Sequence, residues 1–144
     1  MSAPPCPACR LVSEEERPPG GVLLRTEHFI LHAVAGPTPL AGWVVLTAVE
    51  HVRGIYQLSD DALGALGPLM KRAMQAQREA LGAVHAYSFS IGDLLLHAHM
   101  HLVPRYADTV AERWGRGAFE FAPTEALGSQ EVESALVRLK AALT

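Results

Sequence analysis

Leu94-Leu95-Leu96-His97-Ala98-His99-Met100-His101-Leu102-Val103-Pro104-Arg105 is the stretch around which the chain is organised. Successive side chains of an extended strand point to opposite faces. Spacing of two therefore places the imidazoles of His97, His99 and His101 on one face. Leu94, Leu96, Ala98, Met100 and Leu102 fall on the other, which reads as a core face. Pro104 lacks an N–H and is expected to end the strand. Three imidazoles in a row, backed by a wholly apolar face, point to phosphate, metal or proton-transfer chemistry.

Upstream, Val84 to Ser90 alternates as a strand, and Gly92-Asp93 turns the chain so that the histidine strand runs antiparallel to it. Before that lies a long helix. Ser59 caps its start, Asp60 and Asp61 sit at the positive end of its dipole, and Gly82 stops it. Leu63, Leu66, Met70, Ala73, Met74, Gln77 and Leu81 keep helical spacing, and Gly67-Pro68 is the place for a kink. The methionines read as core packing. Val22 to Arg25 and His28 to Ala33 read as two strands around a tight turn at Thr26-Glu27, and Trp43 to Thr47 as a third. Ala107 to Gly128 is loop-like. Ser129 starts a C-terminal amphipathic helix, residues 129–144, carrying Val132, Leu136, Leu139 and Leu143. The expectation is one α+β domain over residues 1–144: a mainly antiparallel sheet with a long helix against one face.

The 144 residues are 49% hydrophobic and 19% charged, enough for a core. A net charge of −3 argues against a general nucleic-acid-binding surface while leaving room for one small anionic ligand. No apolar run approaches the ~18 residues of a membrane span. Met1-Ser2-Ala3-Pro4-Pro5 lacks the regions of a signal peptide, so the protein is read as cytoplasmic and its two cysteines as unlinked.

Cys6-Pro7-Ala8-Cys9 supplies two thiolates at zinc-knuckle spacing and marks residues 1–21 as a metal-binding N-terminal segment. A tetrahedral structural site needs two more ligands, and seven histidines are available. The rival readings are a redox pair, which would want the motif to open a helix after a strand, or two unrelated buried cysteines. A further rival has His97, His99 and His101 converging on a catalytic metal.

His97-Ala98-His99-Met100-His101-Leu102-Val103 resembles the histidine triad (HIT) signature, His-φ-His-φ-His-φ-φ with φ apolar, and Pro104-Arg105 is a typical continuation of that signature. Ala41-Gly42-Trp43-Val44-Val45-Leu46 is similar to the family's Pro-Gly-His-x-Leu-Val strand, and Glu50-His51-Val52 to its Lys-x-His-Val. Leu58-Ser59-Asp60 resembles the usual entry to the long helix. The resemblance spans roughly residues 6 to 106.

It implies a HIT-like fold and a nucleotide hydrolase or transferase working through a nucleotidyl-histidine intermediate, with a dinucleoside polyphosphate or nucleoside phosphoramidate as substrate. His99 would be the nucleophile. His101 would donate to the phosphate oxygens. As in zinc-bearing bacterial relatives, Cys6, Cys9, His51 and His97 would hold a structural zinc. A homodimer built through the long helix and adjoining strand is implied as well.

Departures from the pattern stand close to the triad. Asp93 occupies the place of a Gln, and Leu94 that of a hydroxyl residue; a carboxylate there would repel phosphate. Ser90 is the candidate replacement donor, and Arg105 a candidate phosphate contact. Trp43 replaces a histidine and reads as core packing, with lining of a base pocket as the other option. No Asp or Asn for a ribose occurs around Ala33 to Pro37. His28, His32 and His85 read as structural or surface residues. A binding module with weak or no catalysis is the alternative function.

Overall fold

Local signals set the long helix much as expected. The computed structural model describes residues 6–144, so the first five residues of the N-terminal segment lie outside the described residues. Helix α2 runs Asp60–Leu81; Ser59 Oγ accepts the Ala62 N–H at 3.1 Å, and Gly82, at φ +78°, closes the helix in the left-handed conformation. The helix continues unbroken through Pro68. Helix α3 is Ser129–Leu143, and its buried face carries Leu136, Leu139 and Leu143, as the spacing predicts.

Among the described residues five strands form one sheet: Val22–Arg25 (β1), Phe29–Ala33 (β2), Val44–Ala48 (β3), His85–Phe89 (β4) and His99–Arg105 (β5). Every pairing is antiparallel, in the order β1-β2-β3-β5-β4. Thr26 Oγ1 accepts the N–H groups of His28 and Phe29 and so makes the β1–β2 turn. The predicted α+β class with a mainly antiparallel sheet holds. One face packs Leu31, Leu46 and Leu102 against Leu66 and Ala73 of α2 and the leucines of α3. On the other face Trp43, Val103, Leu40 and Ala118 form a second cluster, with Phe89 and Phe119 against it.

Gln77 is fully buried between these layers. Its Nε2 donates to the carbonyls of Gly42 and Leu102 at 2.9 and 3.0 Å, tying α2 to β3 and β5. No helix among the described residues is long and apolar enough to cross a membrane.

The key stretch departs from expectation at both ends. Strand β5 starts at His99, so His97 is outside it. Leu94 is 99% exposed and Leu96 47%, not core. The reason is pairing: β3 meets β5 only as far as Thr47↔His99 and β4 only as far as Phe89↔His101, so residues 94–96 have no neighbouring strand to make a face. At the other end the strand passes through Pro104 to Arg105. The backbone of Ala98 bonds toward β3 and that of Arg105 toward the β4 side, so alternation aims position 104 toward β3. That strand's last partner is Leu102, and the missing N–H falls past the end of the ladder.

Two further segments carry more structure than predicted. Cys6 caps a six-residue helix, Pro7–Val12 (α1), with Sγ accepting the Cys9 N–H at 3.5 Å. The region from Ala107 to Gly128 contains three 3₁₀ turns, at Ala111–Arg113, Gly115–Phe119 and Pro123–Glu125. Arg113 forks onto both carboxylate oxygens of Glu125 at 2.7 and 2.9 Å and pins that region.

Candidate functional site

Two clusters flank the start of β5. In the first, Cys6 and Cys9 at the N-terminus of α1 meet His51, just after β3, and His97. Cys6 Sγ lies 3.5 Å from His97 Nδ1; Cys9 Sγ lies 3.1 Å from His51 Nδ1 and 3.6 Å from His97 Nδ1. The two Nδ1 atoms are 3.0 Å apart, and all four ligand atoms fall within 4.8 Å of one another. Zinc bonded at 2.0–2.3 Å in a tetrahedron separates its ligands by roughly 3.3–3.8 Å. The donor set and spacing fit zinc. The ring of His97, fully buried, donates Nε2–H to the Ala48 carbonyl at 2.7 Å, which leaves Nδ1 unprotonated and aimed at the cluster. Lone pairs from two imidazoles and two sulfurs converge on one point, an arrangement that a cation stabilises.

Of the rival readings, the redox pair has its helix, α1, with Cys6 at its cap. Among the described residues, neither His99 nor His101 joins a group of three or more metal-ligating side chains.

The second cluster is a pocket of about 320 Å³ containing His99 and His101, whose ring centroids are 5.2 Å apart. Clefts of about 410 to 450 Å³ lie elsewhere, but none pairs two imidazoles. His99 Nδ1 donates to the His97 carbonyl at 2.6 Å. That bond holds the proton on Nδ1 and leaves the Nε2 lone pair free. His101 is fixed the opposite way. Trp43, 4% exposed, donates its indole N–H to His101 Nδ1 at 3.0 Å. An indole N–H can only donate, so His101 carries its proton on Nε2. Burial, then the neighbouring His99 and His32, lower the His101 pKa to about 4, and the ring is neutral at ordinary pH. The pair thus offers one nucleophilic nitrogen beside one neutral N–H donor.

Sequence reasoning left Trp43 between core packing and pocket lining, read His32 as structural or surface, and missed Phe119 and Phe121. Trp43 is both buried and a pocket residue, and it orients His101. His32 is buried on the same sheet face. It donates Nδ1–H to the Ala33 carbonyl at 2.8 Å, accepts from the Thr47 hydroxyl at 2.7 Å, and burial lowers its pKa. Phe119 stacks edge-on to both Trp43 and His101, and Phe121 lines the pocket. A single aromatic in an aperiodic loop carries no sequence signal for such a place. Ser90 donates to the His99 carbonyl at 2.9 Å. Arg105 donates to Tyr87 Oη at 2.9 Å and its guanidinium sits 4.4 Å from the Trp114 ring. Neither Ser90 nor Arg105 lines the pocket, whereas Asp93 and Leu94 do.

No protein-family model matches the sequence, and no curated protein matches it. Solved structures do. A histidine triad nucleotide-binding protein from Sulfolobus tokodaii superposes with a TM-score of 0.75 at 16% identity, covering 96% of this chain and 91% of that one. A zinc-bound histidine triad family protein from Mycobacterium smegmatis gives 0.73 at 19% identity, covering 96% and 92%. A HIT-like protein involved in cell-cycle regulation from Bartonella henselae gives 0.72 at 14% identity, covering 93% of each. The chain has the fold of the histidine triad proteins.

Proposed function

We propose that this protein is a nucleotide hydrolase or transferase in which His99 attacks the α-phosphorus of a nucleotide ester, anhydride or phosphoramidate. The observation that carries the reading is the 2.6 Å bond from His99 Nδ1–H to the His97 carbonyl, which leaves Nε2 free among the pocket residues. In the first step the Nε2 lone pair forms a bond to phosphorus, and the bond from phosphorus to the leaving atom breaks with its electron pair. The imidazole becomes cationic, and the His97 carbonyl accepting from Nδ1–H stabilises that charge. His101 Nε2–H donates to a non-bridging oxygen, where negative charge is held through the displacement. The leaving atom takes one proton from solvent as it departs; in the second step water forms the new P–O bond and returns one proton to solvent, the P–N bond breaks, and His99 regains its lone pair.

Cys6, Cys9, His51 and His97 would hold a zinc that braces α1 against the start of β5 and supplies structural, not Lewis-acid, chemistry. Ser90 supports the backbone of His99, and Arg105 reaches substrate only by leaving Tyr87 and Trp114. The working form is taken to be a cytoplasmic homodimer, by analogy of fold alone.

Rapid quench of wild type with a radiolabelled adenosine phosphoramidate, followed by alkaline denaturation, tests the intermediate. An acid-labile label on wild type and none on His99→Ala is the expected result; turnover without label, or label on both, removes the mechanism. Asp93 in the pocket favours a second reading, a nucleotide-binding module without efficient catalysis, which AMP binding without any turnover would support.

A further inference from the structure

We infer that Thr47 and His32 form a buried positioning pair that stabilises the positive charge His99 acquires on nucleotidylation, an inference that rests on the proposed role of His99 as nucleophile.

The two-step displacement gives neither residue a task, yet both are polar and buried, His32 at 4% exposure and Thr47 at 2%. Buried polar groups need partners, and each of these supplies the other's. Packing alone does not call for them, since apolar groups of the same shape in both places would be close to neutral for stability. Leu31 of β2, Leu46 of β3 and Leu102 of β5 face the helices. Alternation therefore puts His32, Thr47, His99 and His101 together on the opposite face.

Thr47 stands directly across from His99 in the β3–β5 ladder. Ala48 N–H donates to the Ala98 carbonyl at 3.0 Å, so the next pair, Thr47 and His99, is of the kind without mutual backbone bonds. Side chains approach most closely in such pairs, with Cβ atoms about 4.5–5.5 Å apart.

The hydroxyl also has a fixed direction. His32 places its one proton on Nδ1, which donates to the Ala33 carbonyl at 2.8 Å. Its Nε2 can then only accept, and the Thr47 hydroxyl donates to it at 2.7 Å. The hydrogen of Thr47 is thus turned toward β2, away from β5, while the oxygen keeps its lone pairs. Among the described residues no group donates to that oxygen. His99 is neutral before phosphorus is attacked and cationic once the P–N bond forms. The negative end of a dipole already fixed beside it favours the charged state over the neutral one and needs no reorganisation when the charge appears. Burial keeps His32 itself neutral, which preserves the direction of the chain and adds no like charge.

Rapid quench with a radiolabelled adenosine phosphoramidate, beside calorimetric titration with AMP, tests the pair. Thr47→Val keeps the shape and removes the oxygen; its rate of nucleotidylation is expected to fall about tenfold with AMP affinity unchanged. Thr47→Ser is expected to restore the rate to within about twofold of wild type, because it returns the oxygen. Thr47→Val leaves His32 Nε2 without a donor and can lose stability for that reason. The double variant His32→Phe, Thr47→Val leaves no orphaned polar group, and in it urea unfolding near the wild-type midpoint should accompany the same slow nucleotidylation. A wild-type rate in the folded double variant overturns the role of the pair. So does a loss in Thr47→Val carried wholly by weaker AMP binding, or no recovery in Thr47→Ser; each of these leaves His99 as the nucleophile. Absence of label on wild type removes the nucleophile itself, and the role of the pair with it.

Discussion

His97 and His99 stand two residues apart, yet each nitrogen of the two rings has the opposite assignment. His97 donates from Nε2 to the Ala48 carbonyl and turns Nδ1 toward two sulfurs and a second imidazole. His99 donates from Nδ1 to the His97 carbonyl and leaves Nε2 free. An imidazole has one proton to place, and a backbone carbonyl claims it in both cases. Which nitrogen is claimed decides which lone pair is left: Nδ1 toward the Cys6, Cys9 and His51 cluster in His97, Nε2 toward the pocket in His99. The metal corner and the pocket are therefore coupled through one residue: His97 supplies the ring for the first and the carbonyl for the second.

The sharpest way to break that contrast is at His99. His99→Ala is expected to lower turnover by about 10⁴-fold or more while the far-UV circular dichroism stays that of wild type, since the side chain is only partly buried. A fall below tenfold in kcat would make the two histidines equivalent bystanders.

At the metal corner the expected loss is in stability. Cys9→Ser, or extraction with a strong chelator, should lower Tm by about 10 °C or more, because a structural zinc contributes its binding free energy to folding. Differential scanning calorimetry with and without chelator reads it; an unchanged Tm would mean that the four residues carry no structural ion.

Trp43→Phe sharpens the pocket side. Losing the indole N–H frees His101 to carry its proton on either nitrogen, so kcat should fall by about tenfold with little change in KM. Nitrogen NMR of His101 should then report mixed tautomers, a signature that lost packing alone would not give.

The acid side gives a smaller effect. His101 takes up a proton near pH 6.5 when unfolded and near pH 4 when folded. Between those values the unfolded chain binds more protons, so stability falls as pH drops from about 6.5 toward 4 and levels below. Burial of His32 acts in the same direction. Urea unfolding at several pH values should show that slope, and His101→Asn should flatten it. The mildest change is Ser90→Ala, which removes one exposed bond to the His99 carbonyl and should cost about 1 kcal/mol or less in the same assay.

Much of the fold was legible in advance where the cause is local. The cap at Ser59, the stop at Gly82 and the apolar spacing of Leu136, Leu139 and Leu143 act within a few residues, and the structure follows them. The pairing of Cys6 and Cys9 with His51 and His97 was reachable only through family likeness, since spacing alone left seven histidines to choose from. Leu94 and Leu96 misled because alternation describes a strand but does not supply the neighbour that buries it.

Sequence by itself settled the α+β layout and the presence of three alternating imidazoles, because period-two spacing and helix caps are short-range properties. Tertiary structure alone decided which nitrogen of each ring keeps its proton. The carbonyl of Ala48 and the indole of Trp43 reach His97 and His101 from tens of residues away, and a hydrogen bond depends on distance in space, not along the chain.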